Sequence, residues 1–296
     1  MNHTGQQDNS SADPQLDSED SSPVAIINCV LNAPLMLISI MGNALVLAAI
    51  IRTPSIRSTH LIMLCSLAVS DFLVGVVAQP IFIAQQLTKE CYLNYVWKVI
   101  GPFLCGVSLM TITAITVDRF LALHYHMRYA TLVTESRVKY TLLIIWSIGL
   151  LVPFFYFWKE SVQIFLMRVF IIICLLISTF SYIRIYRIVR RHQLHIYAHR
   201  QAVQSSDAEN NLKIARLERS ALNSLVFYVV LIICYFPVYM ILSVRKDWPT
   251  EWKFSATLVF SNSSINPFLY CWRLRELRAA IVKTGKQVLC QQTEVN

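Results

Sequence analysis

The hydrophobic residues of this chain fall into seven long runs, at residues 24–51, 61–86, 99–117, 140–158, 163–183, 220–244 and 254–272. A helix needs about 20 mainly apolar residues to cross a bilayer, and each run is of that order. Within the runs only Asp71 and Arg168 carry a formal charge. Backbone in lipid must satisfy its own hydrogen bonds, so helices are the economical structure for every run. The pattern predicts an all-α fold, a seven-transmembrane helix bundle over residues 24–272.

The polar segments complete the layout. Residues 1–23 are acidic and Ser-rich, with no periodicity, and read as a disordered extracellular tail. The longest loop spans 191–211. Its flanks, 182–191 and 212–219, keep helical spacing, so the fifth and sixth helices should extend beyond the membrane. In residues 273–285, Leu274, Leu277, Ile281 and Val282 sit at helical spacing among basic residues. That suits a short amphipathic eighth helix on the inner leaflet, with membrane lipid as its partner. Residues 286–296 remain as a cytoplasmic tail.

Composition agrees with a membrane protein. Hydrophobic residues make up 55% of the chain and charged residues 15%, against about a quarter charged in soluble domains. The net charge of +9 is unevenly placed. The first 23 residues hold Asp8, Asp13, Asp17, Glu19 and Asp20 and no lysine or arginine. Arg184, Arg187, Arg190, Arg191 and Arg200 follow the fifth run, and Arg273, Arg275, Arg278, Lys283 and Lys286 follow the seventh. Positive segments stay in the cytosol, which puts the N-terminus outside and the C-terminus inside, as an odd number of crossings requires. Basic residues at membrane exits do not make a nucleic-acid face. Asn2-His3-Thr4 and Asn9-Ser10-Ser11 are glycosylation sequons on the outer tail. The chain starts without a basic flank before an apolar run, so no cleavable signal peptide is expected and the first span would serve as the insertion signal. The eight cysteines show no metal-ligand spacing.

Several polar residues in the runs call for a mechanism. Asp71 is a carboxylate in mid-span, with Asn43, Ser108, Asn262, Ser263 and Asn266 at matching depths on other helices. A buried acid among hydroxyl and amide oxygens suits a small hard cation or water. The same set also reads as a polar knot joining helices, and the chemistry leaves both open. Asp118-Arg119-Phe120 closes the third run; a snorkelling arginine is the plain alternative. Cys234-Tyr235-Phe236-Pro237 in the sixth and Asn266-Pro267-Phe268-Leu269-Tyr270 in the seventh each place a proline inside a helix, where it removes a backbone bond and produces a kink. A swing of the inner half of the sixth helix would open a cytosolic cleft, across which Tyr182 and Tyr270 could bond.

In order and spacing these pieces resemble the rhodopsin-class family of G-protein-coupled receptors. The resemblance runs over about residues 24 to 285, with one anchor per helix. The anchors are Gly42-Asn43, Leu67-Ala68-x-x-Asp71, Asp118-Arg119-Phe120, Trp146, Tyr182, Cys234-x-x-Pro237 and Asn266-Pro267-x-x-Tyr270. It implies a sodium pocket formed by Asp71, Ser108, Asn262, Ser263 and Asn266. It implies an activation switch of Asp118, Arg119, Tyr182, Tyr235, Pro237, Pro267 and Tyr270, and a heterotrimeric G protein as cytosolic partner. The chain departs from the family pattern in several places. The cysteine that usually starts the third helix is Asn94 here, so the usual bridge to the second outer loop is absent. Cys91 lies one turn away with Cys29 as its only candidate partner, a free thiol being the commoner case. The usual helix-five proline is Cys174, and the usual helix-six tryptophan is Tyr235. The acid that often locks the arginine would fall on Leu217, with Glu218 one residue off, which suggests ligand-independent activity. These features are similar to the branch holding melanocortin, lipid-mediator, cannabinoid and adenosine receptors.

The resemblance also bears on the ligand. Gly101 stands where amine receptors carry an aspartate, and Phe260 where opsins carry the retinal lysine. Ile81, Asn94 and Lys98 stand where melanocortin receptors carry acids. The outer cavity would be lined by Gly101, Pro102, Cys105, Tyr235, Tyr239, Trp252 and Phe260, with Lys98, Arg168 and Lys253 near its rim. An extracellular small-molecule or peptide ligand is implied, and a small lipid-like or weakly acidic one fits this chemistry. Cys290, beside the tail helix, is a candidate for palmitoylation. The competing reading is a multi-pass transporter or channel, which would want inverted repeats and a through-pore. A membrane enzyme would want grouped acids or histidines, and His192, His195 and His199 lie in the inner loop.

Overall fold

The computed structural model describes residues 23–53, 59–88, 90–125, 128–203, 208–244, 249–273 and 278–283. Asn2, Asn9, Cys290, the acidic tail and residues 286–296 lie outside them, as do the side chains of Leu217, Glu218 and the inner-loop histidines His192, His195 and His199. Seven long helices run through the described residues: α1 Pro23–Arg52, α2 Thr59–Thr88, α3 Cys91–His124, α4 Glu135–Phe154, α5 Glu160–Val203, α6 Ala208–Ser243 and α7 Pro249–Arg273. A single helical turn, Tyr129–Leu132, sits between α3 and α4. Both α5 and α6 run well past their apolar runs toward the loop that joins them.

Six of these helices are long and apolar enough to cross a membrane on composition alone. The seventh, α7, is diluted by Ser255, Thr257, Asn262, Ser263, Ser264 and Asn266, and the structure shows why: all six are buried against other helices. Its outward face stays apolar, with Phe268 and Trp272 exposed. Outward-facing Met41, Leu143, Phe165, Leu176 and Ile233 continue that apolar exterior around the bundle, the surface that hydrocarbon would cover.

The third helix is the central strut. Trp97, Leu104, Ser108, Ile112, Ile115 and Asp118 are buried along its length, and it packs on α2, α4 and α5. On one flank α1 lies between α2 and α7; on the other, α5 leads through α6 back to α7. Glycines allow the closest approaches. A Cβ on Gly42 would stand 2.9 Å from Pro267 of α7, and one on Gly149 of α4 would stand 2.5 Å from Val107 of α3. Trp146 Nε1 donates to Ser66 Oγ at 3.0 Å, fixing α4 to α2.

One feature of α2 is absent from the sequence reading. Val74–Ala78 forms a π-helical turn. Pro80 supplies no amide hydrogen just beyond it, so the regular ladder cannot continue there, and the widened turn takes up the mismatch. Cys29 and Cys91, whose pairing the sequence left open, are both free thiols; Cys29 Sγ approaches the Ile83 carbonyl at 4.0 Å. Residues 278–283 are helical, with Ala280 and Ile281 buried and Val282 exposed.

Candidate functional site

Three polar or hollow levels are stacked along the bundle. The first, at the end of the bundle that carries the start of α3, is a cavity of about 350 Å³ between α3, α4, α5, α6 and α7, within the size range of small-ligand sites. Gly101, Pro102, Cys105, Tyr235, Trp252 and Phe260 line it, as the sequence suggested. Phe260 packs edge-on to Phe82 and Trp97 at ring separations of 5.3 and 5.6 Å, which makes one wall rigid. Met167, Phe170, Ile171, Val238 and Leu242 make most of the rest apolar.

The rim differs from the expectation. Tyr239 does not line the cavity; it packs against the core with its ring 6.4 Å from that of Phe236. Arg168 places its guanidinium 5.9 Å from the Phe165 ring, and neither it nor Lys253 belongs to the lining. Lys98 does, but its ammonium is 2.7 Å from Glu160 of α5 and 5.3 Å from the centre of the Tyr156 ring. Gln163 Nε2 also donates to the Lys98 carbonyl at 2.7 Å. These contacts join α3 to the turn after α4 and to the start of α5, at the place where the family's cysteine bridge is missing. Reading Lys98 without its acidic neighbour across the loop hid this pair.

The cavity floor leads to the second level. Tyr235 donates its phenol to the Cys105 carbonyl at 3.1 Å. One turn further along α3, Ser108 Oγ donates to Asp71 Oδ1 at 2.8 Å. Ser263 Oγ donates to the same oxygen at 2.8 Å, and Asn266 Nδ2 donates to Oδ2 at 2.7 Å. Asp71, Ser108, Ser263 and Asn266 are all essentially buried. The carboxylate is thus ringed by donors from α3 and α7, the condition for keeping a charge away from water.

Two members of the sequence set stand outside this ring. Asn43 Nδ2 donates to the main-chain carbonyls of Ser39 and Ser263 at 2.8 and 3.1 Å. It braces the helix that carries Ser263 and does not reach the carboxylate. Asn262 is buried with its amide nitrogen unpartnered among the described residues. Four residues before Asn266 puts it on the same helix face, but one turn beyond the acid. Ser39, which the sequence reading passed over, donates to the Asp71 carbonyl at 2.8 Å.

The third level is the inner end. Asp118 is buried; Tyr129 donates its phenol to Oδ1 at 2.7 Å, and His60 Nδ1 lies 3.7 Å from Oδ2. Burial and this bond push the Tyr129 phenol well above the ordinary tyrosine range. Arg119 lines a small void of about 20 Å³ with Ile185, Phe227 and Tyr270, and its Nε and Nη2 are buried without hydrogen-bond partners among the described residues. Tyr182 and Tyr270 do not bond to each other. Tyr182 stacks on Tyr228 at 5.1 Å and 7°, while Tyr270 stacks on Phe227 at 6.0 Å and 19°. Two adjacent residues of α6 therefore occupy the two tyrosines, and α6 is packed inward against α5 and α7. Pro237 and Pro267 lie inside α6 and α7. Nothing in the sequence singled out Tyr129, Phe227 or Tyr228, whose importance comes only from what they touch.

This arrangement can be compared with known proteins. A family model described as seven-transmembrane receptor (rhodopsin family) matches residues 42–158, the stretch carrying Asn43, Asp71, Ser108 and Arg119. The chain is 26% identical over 278 residues to melanocortin receptor 4 of Danio rerio, covering 86% of this chain and 81% of that one. Histamine H2 receptor of Canis lupus familiaris is 26% identical over 297 residues, covering 88% and 80%. Melanocortin receptor 5 of Homo sapiens is 24% identical over 279 residues, covering 86% and 81%. Over these spans the chain is similar to seven-transmembrane receptors of the rhodopsin family. It is a multi-pass membrane receptor and not an enzyme, and its class binds extracellular ligands and couples to G proteins.

Proposed function

We propose that this receptor sits in the plasma membrane with its N-terminus outside, binds a small apolar ligand in the outer cavity, and activates a heterotrimeric G protein through the inner face around Arg119. The observation that carries the reading is the continuous path from cavity to switch. Tyr235 on the cavity floor is bonded to α3, α3 to the Asp71 ring, and that ring to α7 through Asn266, four residues before Tyr270. A ligand that displaced Tyr235 would thus act on the same two helices that end at Arg119 and Tyr270. The acidic outer tail and the basic inner segments support the orientation.

The donor set around Asp71 fits an allosteric sodium ion: one carboxylate, two hydroxyls and an amide, all oxygen-bearing and buried. Asp71, Ser108, Ser263 and Asn266 would hold it, supplying the counter-charge that the acid otherwise lacks. The relatives' names do not transfer a ligand. Gly101 offers no anion to an amine, and Ile81, Asn94 and the paired Lys98 offer none to a basic peptide. Among the described residues that line the cavity, the one cation, Lys98, is matched by Glu160 and is not free for an acid.

The test is G-protein activation by Arg119→Ala against wild type, with surface expression measured on the same cells. Loss of both basal and ligand-driven signal with normal surface level is expected. Retained signalling would overturn the assignment of Arg119 as the coupling residue.

A further inference from the structure

We propose that the outer cavity selects an uncharged amphiphile, with a non-ionic head at the mouth beside Lys98 and Glu160 and an alkyl tail running inward along the face of α3 that Gly106 leaves open. This rests on the receptor reading above and narrows it to a ligand class.

The first observation concerns charge. Among the described residues of the lining, Lys98 and Glu160 carry the charges, and they are paired at 2.7 Å. An acid entering the cavity must displace Glu160 from the lysine, and an amine must displace Lys98 from the glutamate. In either case one protein charge loses its partner, and because the two side chains are 31% and 50% exposed, water offsets part of that loss and the preference it sets is modest. A hydroxyl or amide head meets no such penalty, and Asn94 and Gln163 stand at the same mouth with uncharged hydrogen-bonding groups.

The second observation concerns shape. Three glycines line the cavity, and they are not alike. A Cβ on Gly101 would strike the Trp97 ring at 2.4 Å, and one on Gly149 would strike Val107 at 2.5 Å; both glycines serve close packing. A Cβ on Gly106 meets nothing within 4 Å. That glycine therefore fronts empty space, on the side of α3 facing α4 and α5, where Val152, Met167 and Ile171 complete an apolar wall. An apolar cavity with open space at Gly106, below a mouth whose described charges are paired, matches a hydrocarbon chain under a polar, non-ionic head.

The experiment uses the full-length receptor purified in nanodiscs, with three probes sharing one tail: monoolein, oleate and oleylamine. Binding is read by displacement of a fluorescent monoacylglycerol. Monoolein should bind wild type about threefold more tightly than either charged probe. Glu160→Gln should raise oleate affinity, and Lys98→Met should raise oleylamine affinity. A merely structural pair would not show this reciprocal change of preference. Gly106→Leu should abolish binding of monoolein and keep that of monooctanoin. Gly106→Ala, a smaller plug, should weaken monoolein alone, which covers the case of a leucine variant that does not fold. Equal binding of all three probes to wild type overturns the proposal, as does a Gly106 effect independent of tail length. Arg119→Ala is the control for the receptor reading: it should keep every binding shift while silencing a G-protein reporter. Reporter activity surviving in Arg119→Ala would count against the coupling assignment, while intact binding shifts would still support the ligand class.

Discussion

The Tyr235 phenol donates to the main-chain carbonyl of Cys105 at 3.1 Å, three residues before the serine that holds Asp71. This bond joins the floor of the ligand cavity to the buried polar ring. Tyr235→Phe removes it while keeping the ring in place. A neutral hydrogen bond contributes about 1 kcal/mol net, which is roughly a fivefold shift in a two-state equilibrium. Basal G-protein turnover should rise by about that factor, measured in cells expressing the receptor without added ligand. Unchanged basal turnover would show that Tyr235 does not hold the resting state.

Sodium should stabilise the receptor through Asp71. Replacing sodium by N-methylglucamine is expected to lower the melting temperature of the purified wild type, since a ligand bound only to the folded state adds about 2.7 kcal/mol at a hundredfold excess over Kd. Asp71→Asn should remove the difference between the two salts. A sodium effect of equal size in wild type and variant would place the ion elsewhere.

The inner half of α6 is held by two aromatic stacks on consecutive residues, Tyr182–Tyr228 and Tyr270–Phe227. Such pairs contribute about 0.5–1.5 kcal/mol each beyond their buried area. Phe227→Ala and Tyr228→Ala should each raise ligand-independent signalling several-fold, with a larger effect when combined. A fluorophore at the inner end of α6 should report outward displacement in the same order. Reduced signalling in both variants would mean that the stacks belong to the active form.

Tyr129→Phe should lower thermal stability by about 1 kcal/mol, the low end for a bond to a charged acceptor because the phenol is only partly buried. The folded phenol titrates above its unfolded value. Its contribution is therefore complete below the ordinary tyrosine pKa of about 10 and is lost only as pH rises through the higher folded value. Melting curves between pH 6 and pH 8 (roughly the neutral window) should show the same gap between wild type and variant. A gap that varied across this window would implicate His60, which faces the same carboxylate.

The crossings were legible because lipid imposes a long apolar run on every helix, and the Asp71 ring was legible because a mid-span acid demands donors. Asn262 shows the limit of that reasoning: helix periodicity gave it the right face but not the right depth, and the acid's oxygens were satisfied by Ser108, Ser263 and Asn266. Lys98 shows another. A lone base near a pocket suggests an acidic ligand until Glu160, 62 positions later in the chain, is seen beside it. Tyr239 fell on the wrong side of α6, one turn above Tyr235, where it packs against the core. Tyr182 and Tyr270 stack on Tyr228 and Phe227 of α6, and no motif or spacing in the sequence marked those two residues as their partners.

Burying the hydroxyls and amides of α7 has a consequence for biosynthesis. Asn28 on α1 pairs with Thr257 on α7 across 229 positions of chain, and Asn43 finds the Ser263 carbonyl across 220. A ribosome adding about 5–20 residues per second makes the first span wait roughly 10 to 45 s for the last. During that interval the amides of α1 face lipid or a borrowed escort, and assembly of the bundle waits for the last span to be made.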